Sequence, residues 1–182
     1  KMKCYKSALA CDPVSAYGGI VCCNFKINSK IALELNKIFL EVIIANGFEK
    51  NSLKILKKKR NIRLIDTKNL SNSNNLRINS IENAVLIQNN DKINFKSENF
   101  KVVSKIRPTK DQMKNLIFAF NVCKHVKSNA IVLAHKQAIV GIGSGQPSRL
   151  DSCEIAINKM KKFVNPSENI VAASDAFFPF ID

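Results

Sequence analysis

The sequence predicts an α/β fold, in layers of a mixed sheet with flanking helices. Three observations lead there. Between residues 20 and 67, short apolar runs alternate with amphipathic segments in a βαβαβ rhythm, which calls for parallel pairing. Hydrophobic residues make up 46% of the 182, enough for a core of ordinary size. In the second half an apolar run leads through a glycine turn into a helical repeat, the strand–turn–helix order of α/β layers.

Each element has its own signal. The opening "KMKCYKSALACDP" holds an apolar patch too short for a signal peptide, so no export signal is expected. "IVCCNF" (20–25) has strand character. "SKIALELNKIF" (29–39) sets Ile31, Leu35, Ile38 and Phe39 on one helical face, with Ser29 as its expected N-cap. "VIIA" (42–45) reads as a buried strand ended by Asn46-Gly47. A basic helix over 51–59 and a strand "RLIDT" (63–67) complete the rhythm. The asparagine-rich "KNLSNSNNL" (68–76) predicts a flexible loop between a first part, 1–67, and a second, 77–182. Short strands are expected at 84–88, 93–95 and 102–106. Thr109 and Gln112 have capping-box spacing. Behind them Met113, Leu116, Ile117, Phe120 and Cys123 form one helical face, in a helix expected to end near Val126. "NAIVLAH", a turn at Lys136-Gln137 and "AIVGI" read as two strands. Leu150, Cys153, Ile157 and Met160 mark a helix starting near Ser148, and "NIVAAS" (169–174) a last strand.

The formal net charge of +15 invites a nucleic-acid partner. Against it, 24 of the 29 basic residues are lysine and five are arginine, whereas base and phosphate recognition favours the arginine fork. Lysine, asparagine and isoleucine share A+T-rich codons, which accounts for the charge more simply. No nucleic acid and no membrane partner is expected, and no apolar run reaches the roughly 20 residues of a bilayer span. The six cysteines show no CxxC pair and no zinc-type spacing. Adjacent Cys22 and Cys23 would face opposite sides of a strand, so buried free thiols and a cytoplasmic location are expected.

"GIGSGQPSR" places glycines at 141, 143 and 145. It is neither the dinucleotide fingerprint nor a Walker A loop. A strand, glycine turn and helix start could still meet an anion, with Ser148 and Arg149 assisting. The alternative is a tight turn that needs positive φ. His125 and His135 have no evident metal partner. Lys127, Ser128 and Asn129 stand at a helix-to-strand junction, a common place for site residues and equally one for capping. Tyr17, in "CDPVSAYGGI", could stack on a planar ligand or anchor its turn. "SDAFFPF" could wall a flat heterocycle or pack in a core or a subunit interface.

Three blocks together go further. "DPVSAYGGIV", "KHVKSNAIV…GIGSGQPSRLDS" and "SDAFFPF" resemble the signature blocks of the transformylase domain of the bifunctional purine biosynthesis family, bacterial type, which acts on 5-aminoimidazole-4-carboxamide ribonucleotide (AICAR). "EVIIA" with "FEKNSLKIL" fits as well, in the right order. The resemblance covers most of the chain and is weakest in the asparagine-rich middle. It implies a cytidine deaminase-like fold, here a partial copy of a duplicated domain, working as a homodimer with sites at the interface. It implies formyl transfer from 10-formyltetrahydrofolate, as cosubstrate, to the 5-amino group of AICAR, with no metal needed for the chemistry. Carried over by position, Asn129 matches the asparagine that helps position the reacting groups. Gln146, Ser148 and Arg149 match the block lining the AICAR and folate sites, with Leu150 at an aliphatic position beside them. Tyr17 stands where the family often has phenylalanine near the substrate. Glu41 aligns with an acidic position near the reaction centre. Phe177 and Asp182 match residues on the folate side.

The departures are specific. The family's adjacent lysine and histidine, implied to support the oxyanion-like intermediate and to take the proton, lie a few tens of residues before the "DPVSAYGG" block. Only eleven residues precede Asp12 here, and Lys124-His125 belongs to another block. Pro147 stands at a variable position, and Ile181 where relatives usually carry arginine. The expectation is therefore an internal fragment, without the IMP cyclohydrolase domain or the segment after Asp182, and without turnover alone. Two other readings stay open. In a non-catalytic relative that binds only nucleotide or folate, the parent reading frame would lack the lysine–histidine pair. A basic nucleic-acid-binding module would bind random duplex DNA with steep salt dependence.

Overall fold

The computed structural model describes residues 1–70, 76–166 and 168–178. Helix α1 (Met2–Ala10) opens the chain and leads through a turn into β1 (Gly19–Cys23). α2 (Ser29–Leu35), β2 (Leu40–Ala45), α3 (Lys50–Leu56) and β3 (Arg63–Asp66) follow. The three strands form a parallel sheet in the order β1-β2-β3, with Val21 opposite Ile43 and Ile43 opposite Leu64. The expected βαβαβ unit is thus present. Its core is Ile27, Ile31, Ala32, Leu35, Leu40, Ile43, Ala45 and Leu56, with Tyr5 of α1 packed in. Each fully buried aliphatic side chain among these contributes about 1.5–3 kcal/mol.

The cap of α2 falls one residue earlier than expected. Asn28, in extended conformation, accepts from the Ile31 N–H through Oδ1 at 3.1 Å. Ser29 is already helical, so it cannot serve as the half-in residue that a cap requires. The helix also stops at Leu35, and β2 begins at Leu40.

Residues 71–75 of the expected loop lie outside the described residues. Beyond them β4 (Leu76–Ile81) and β5 (Ala84–Asn89) pair as an antiparallel hairpin, exposed at every position. The expected strands at 93–95 and 102–106 do not form. The Phe95 backbone is paired instead by a side chain. Its N–H donates to Asn121 Oδ1 and its carbonyl accepts from Asn121 Nδ2, both at 2.8 Å. Phe95, Phe100 and Phe120 form a cluster of rings at 5.0–5.9 Å around that link.

Helix α4 (Lys110–Cys123) carries the expected capping box, Gln112 N–H to Thr109 Oγ1 at 3.2 Å and Thr109 N–H to Gln112 Oε1 at 2.9 Å. β6 (Ile131–His135), β7 (Ala138–Gly143), α5 (Arg149–Phe163) and β8 (Val171–Ser174) complete the chain. The three strands form an antiparallel sheet ordered β7-β6-β8. Successive side chains of β6 face opposite ways. Ile131 and Leu133 pack with Val140 of β7 and with Ala156 and Met160 of α5. Val132 and Ala134 pack with Ala119 and Cys123 of α4 and with Val171 and Ala173. The sheet is therefore sandwiched between α4 and α5.

The fold is mixed α/β, but the mixing differs from expectation. Among the described residues each sheet is purely parallel or purely antiparallel, and no single mixed sheet forms. The six cysteines are free as expected, yet only Cys23 and Cys123 are buried, and Cys4 and Cys22 are exposed. No described helix is long and apolar enough to cross a membrane.

Candidate functional site

One end of the antiparallel sheet gathers four chain segments: the start of β6, the end of β7, the start of α5 and the end of β8. Ser128 and Asn129 precede β6, and their shared peptide bond is cis. Asp175 follows β8. Between them lies the Arg149 side chain, only 11% exposed. Its Nη1 donates to Asp175 Oδ1 at 2.5 Å and to Ser174 Oγ at 2.7 Å, and its Nη2 donates to Asn129 Oδ1 at 2.8 Å. Asp175 also accepts from the Ser128 hydroxyl, and from the Ala130 N–H at 3.0 Å. Burial pushes the Asp175 carboxyl up, but the Ser128, Arg149 and Ala130 donors outweigh it and hold the group at about 2. Asp175 is thus a fixed anion and Arg149 its countercharge.

Asn129 is the hub. Its Nδ2 donates to the Gln146 and Pro147 carbonyls at 3.0 and 2.8 Å. Its backbone carbonyl accepts from Ser152 Oγ at 2.7 Å. A side-chain amide has two N–H donors and an oxygen with two lone pairs. Both donors are taken and Arg149 uses one lone pair, so among the described residues one lone pair of Oδ1 has no partner.

The glycine run has a different origin from a phosphate cradle. Gly143 lies against α5 so closely that a Cβ there would sit 1.8 Å from the Ser152 carbonyl oxygen. Gly141 approaches Ala156 in the same way. Gly145 alone of the three has positive φ, +68°, and closes the turn with its N–H on the Lys127 carbonyl at 2.9 Å. Ser148 caps α5, its Oγ accepting from the N–H groups of Leu150 and Asp151 at 3.2 and 3.4 Å.

The structure brings together Asn129, Gln146, Ser148 and Arg149. Leu150 and Phe177 flank the cluster in sequence and are 61% and 80% exposed. Tyr17 lies in the turn that leads into β1, and Glu41 in β2. The Tyr17 ring rests on Phe39 at 5.3 Å between centroids, and Glu41 faces Arg63 at 3.8 Å. No hydrogen bond, ion pair or ring contact among the described residues joins either to Asn129 or Arg149. Asp182 lies outside the described residues. Sequence reasoning missed Asp175, the partner of both Arg149 and Ser128. The available signal was an acidic residue just after the last strand, in a half of the chain with few arginines.

Fold and cluster define an α/β protein whose antiparallel β7-β6-β8 sheet presents, at one end, a nearly buried Arg–Asp pair and an asparagine whose side-chain oxygen has one acceptor site without a partner among the described residues. The family model described as AICARFT/IMPCHase bienzyme matches residues 1–159, and the chain belongs to that family. It is 44% identical over 190 residues to the bifunctional purine biosynthesis protein PurH of Rhodospirillum rubrum, covering 100% of this chain and 36% of that protein. PurH of a Thermoanaerobacter species is 46% identical over 178 residues, 98% of this chain and 34% of the relative. PurH of Aquifex aeolicus is 42% identical over 171 residues, 94% and 33%. The chain spans about a third of the length of the curated relatives it matches.

Proposed function

We propose that this chain is the substrate-orienting part of an AICAR transformylase, a section of the deaminase-like domain that moves a formyl group from 10-formyltetrahydrofolate to the 5-amino group of AICAR. The observation that carries the reading is the lone pair of Asn129 Oδ1 that has no partner among the described residues, in a side-chain amide held by three hydrogen-bond partners. The AICAR amine is a poor nucleophile because its lone pair is delocalised into the ring and carboxamide. A fixed acceptor for one amine N–H aims the remaining electron pair at the formyl carbon, and such positioning lowers the barrier without a proton transfer of its own. In this reading Gln146, Ser148, Arg149 and Leu150 frame the AICAR side, Tyr17 and Glu41 approach it from the turn before β1 and from β2, and Phe177 and Asp182 belong to the folate side. Proton transfer and oxyanion support fall to the lysine–histidine pair of the family.

A homodimer belongs to the same reading. The hairpin β4–β5 supports it, because Leu76, Ile78, Ile81, Val85, Leu86 and Ile87 are all more than half exposed, and an apolar arm of this kind marks an interaction surface.

In the full-length natural protein, Asn129→Ala is expected to cut kcat on the order of 10²-fold, the scale of a lost positioning group. Formyl-AICAR formation at saturating substrates measures it. An unchanged rate removes Asn129 from the site.

A further inference from the structure

The turn that carries Tyr17 is tied to helix α5 through Asp12. Asp12 Oδ2 pairs with Lys159 Nζ. The same carboxylate builds the turn: Oδ1 accepts from the Ser15 N–H at 2.9 Å and Oδ2 from the Ser15 hydroxyl at 2.8 Å. Lys159 beside it and the two Ser15 donors hold the carboxyl at about 2, against the cost of burial. From Ser15 the chain runs to Tyr17, whose N–H meets the Val14 carbonyl at 3.4 Å, and to Gly18, whose N–H meets the Phe39 carbonyl at 2.9 Å. The Tyr17 ring is 75% exposed, with Phe39 against one side. Its place is therefore set by the backbone of the turn rather than by packing around the ring. Lys159 stands on the helix that carries Arg149 in its first turn, ten residues or about 15 Å further along.

We propose that Asp12 is a positioning residue: with Lys159 it fastens the Tyr17 turn to α5, so that the tyrosine and the Asn129–Arg149 cluster keep one spacing. The inference rests on the reading above for the roles of Tyr17 and Arg149. The Lys159 side chain is 42% exposed, and pairs so open to water add little to global stability. The effect is accordingly local, on the turn and on substrate affinity.

Two substitutions separate charge from turn building, both made in the full-length natural protein. Asp12→Asn keeps an oxygen for the Ser15 N–H and removes the charge. Lys159→Met keeps the apolar stem and leaves the turn untouched. In each, the amides of Tyr17, Gly18 and Gly19 are expected to exchange about tenfold faster while those of α4 do not change, and KM for AICAR is expected to rise about tenfold with kcat within about twofold. The double variant should be no worse than either single one, and Lys159→Arg should restore both readouts. Unchanged exchange in the turn, or additive effects in the double variant, overturns the proposal. If the wild-type protein makes no formyl-AICAR, the functional reading fails by itself, and the exchange and additivity results still decide whether Asp12 and Lys159 hold the turn.

Discussion

Arg149→Met is expected to destabilise the protein by about 3 kcal/mol, the low end for breaking a buried ion pair by removing one partner. The cost does not come from the lost attraction alone. Asp175 would remain at the sheet end with its carboxylate held by Ser128 and Ala130 but without a countercharge. Asn129 Oδ1 and Ser174 Oγ would each lose a donor. Urea unfolding followed by circular dichroism measures the loss, and a change below about 0.5 kcal/mol, the usual range for surface substitutions, would show that the cluster is solvated in solution. The pair also sets an acid limb. The Asp175 carboxyl is lowered from 3.8 to about 2, so its contribution is fully present above the unfolded value and is lost as pH falls through the folded one. The carboxylate is 22% exposed, and screening trims this contribution to about 1–2 kcal/mol. Asp12 titrates in the same window. The measurement is therefore a comparison between wild type and Asp175→Asn from pH 5 to pH 2, in which the variant's curve should be flatter.

How far such features can be read from sequence depends on the distance over which they are built. The Thr109–Gln112 box is local, three residues from end to end, and its pattern is sufficient to place the start of α4. The helical faces of α4 and α5 and the alternation along β6 are local too. Asn129, Gln146, Ser148 and Arg149 sit in one block of 21 residues, and hydrogen bonds join Asn129 to Gln146 and to Arg149 there. Asp175 reaches Arg149 across 26 residues and Ser128 across 47, and no periodicity encodes such a pairing. Phe95 failed as a strand for a similar reason. Its strand-like neighbours were legible, but the partner that satisfied its backbone was the Asn121 side chain rather than another strand. β5 was legible as the apolar run 84–88, whereas β4 interleaves its apolar residues with Arg77, Asn79 and Ser80; with the hairpin exposed on both faces, no buried face imposes a clearer alternation.

The glycines held a signal that spacing arguments about phosphate loops obscure. Residues two apart in a strand share a face, so Gly141 and Gly143 mark one smooth side of β7 against which a helix can lie. Gly143→Ala is therefore expected to be among the most damaging single changes in the chain. Its Cβ would stand 1.8 Å from the Ser152 carbonyl oxygen and 2.4 Å from the carbonyl carbon. Both are backbone atoms, so no rotamer change relieves the clash, and α5 must move away from β7. The expected cost is about 3 kcal/mol or more, at the upper end for overpacking. The displacement would not stay local. Ser152 holds the Asn129 carbonyl through its hydroxyl, and Arg149 stands one turn earlier on the same helix, so the cluster shifts with the helix; under the proposed function, formyl transfer by the full-length protein should fall with stability. Gly145→Ala provides the contrast. A Cβ there meets Lys127 Cδ at 3.7 Å, an ordinary contact, and the penalty is confined to φ of +68°, about 1–2 kcal/mol. Thermal unfolding of the two variants orders these effects. A larger loss from Gly145→Ala would mean that the turn, and not the approach of α5 to β7, is what the glycine run exists to permit.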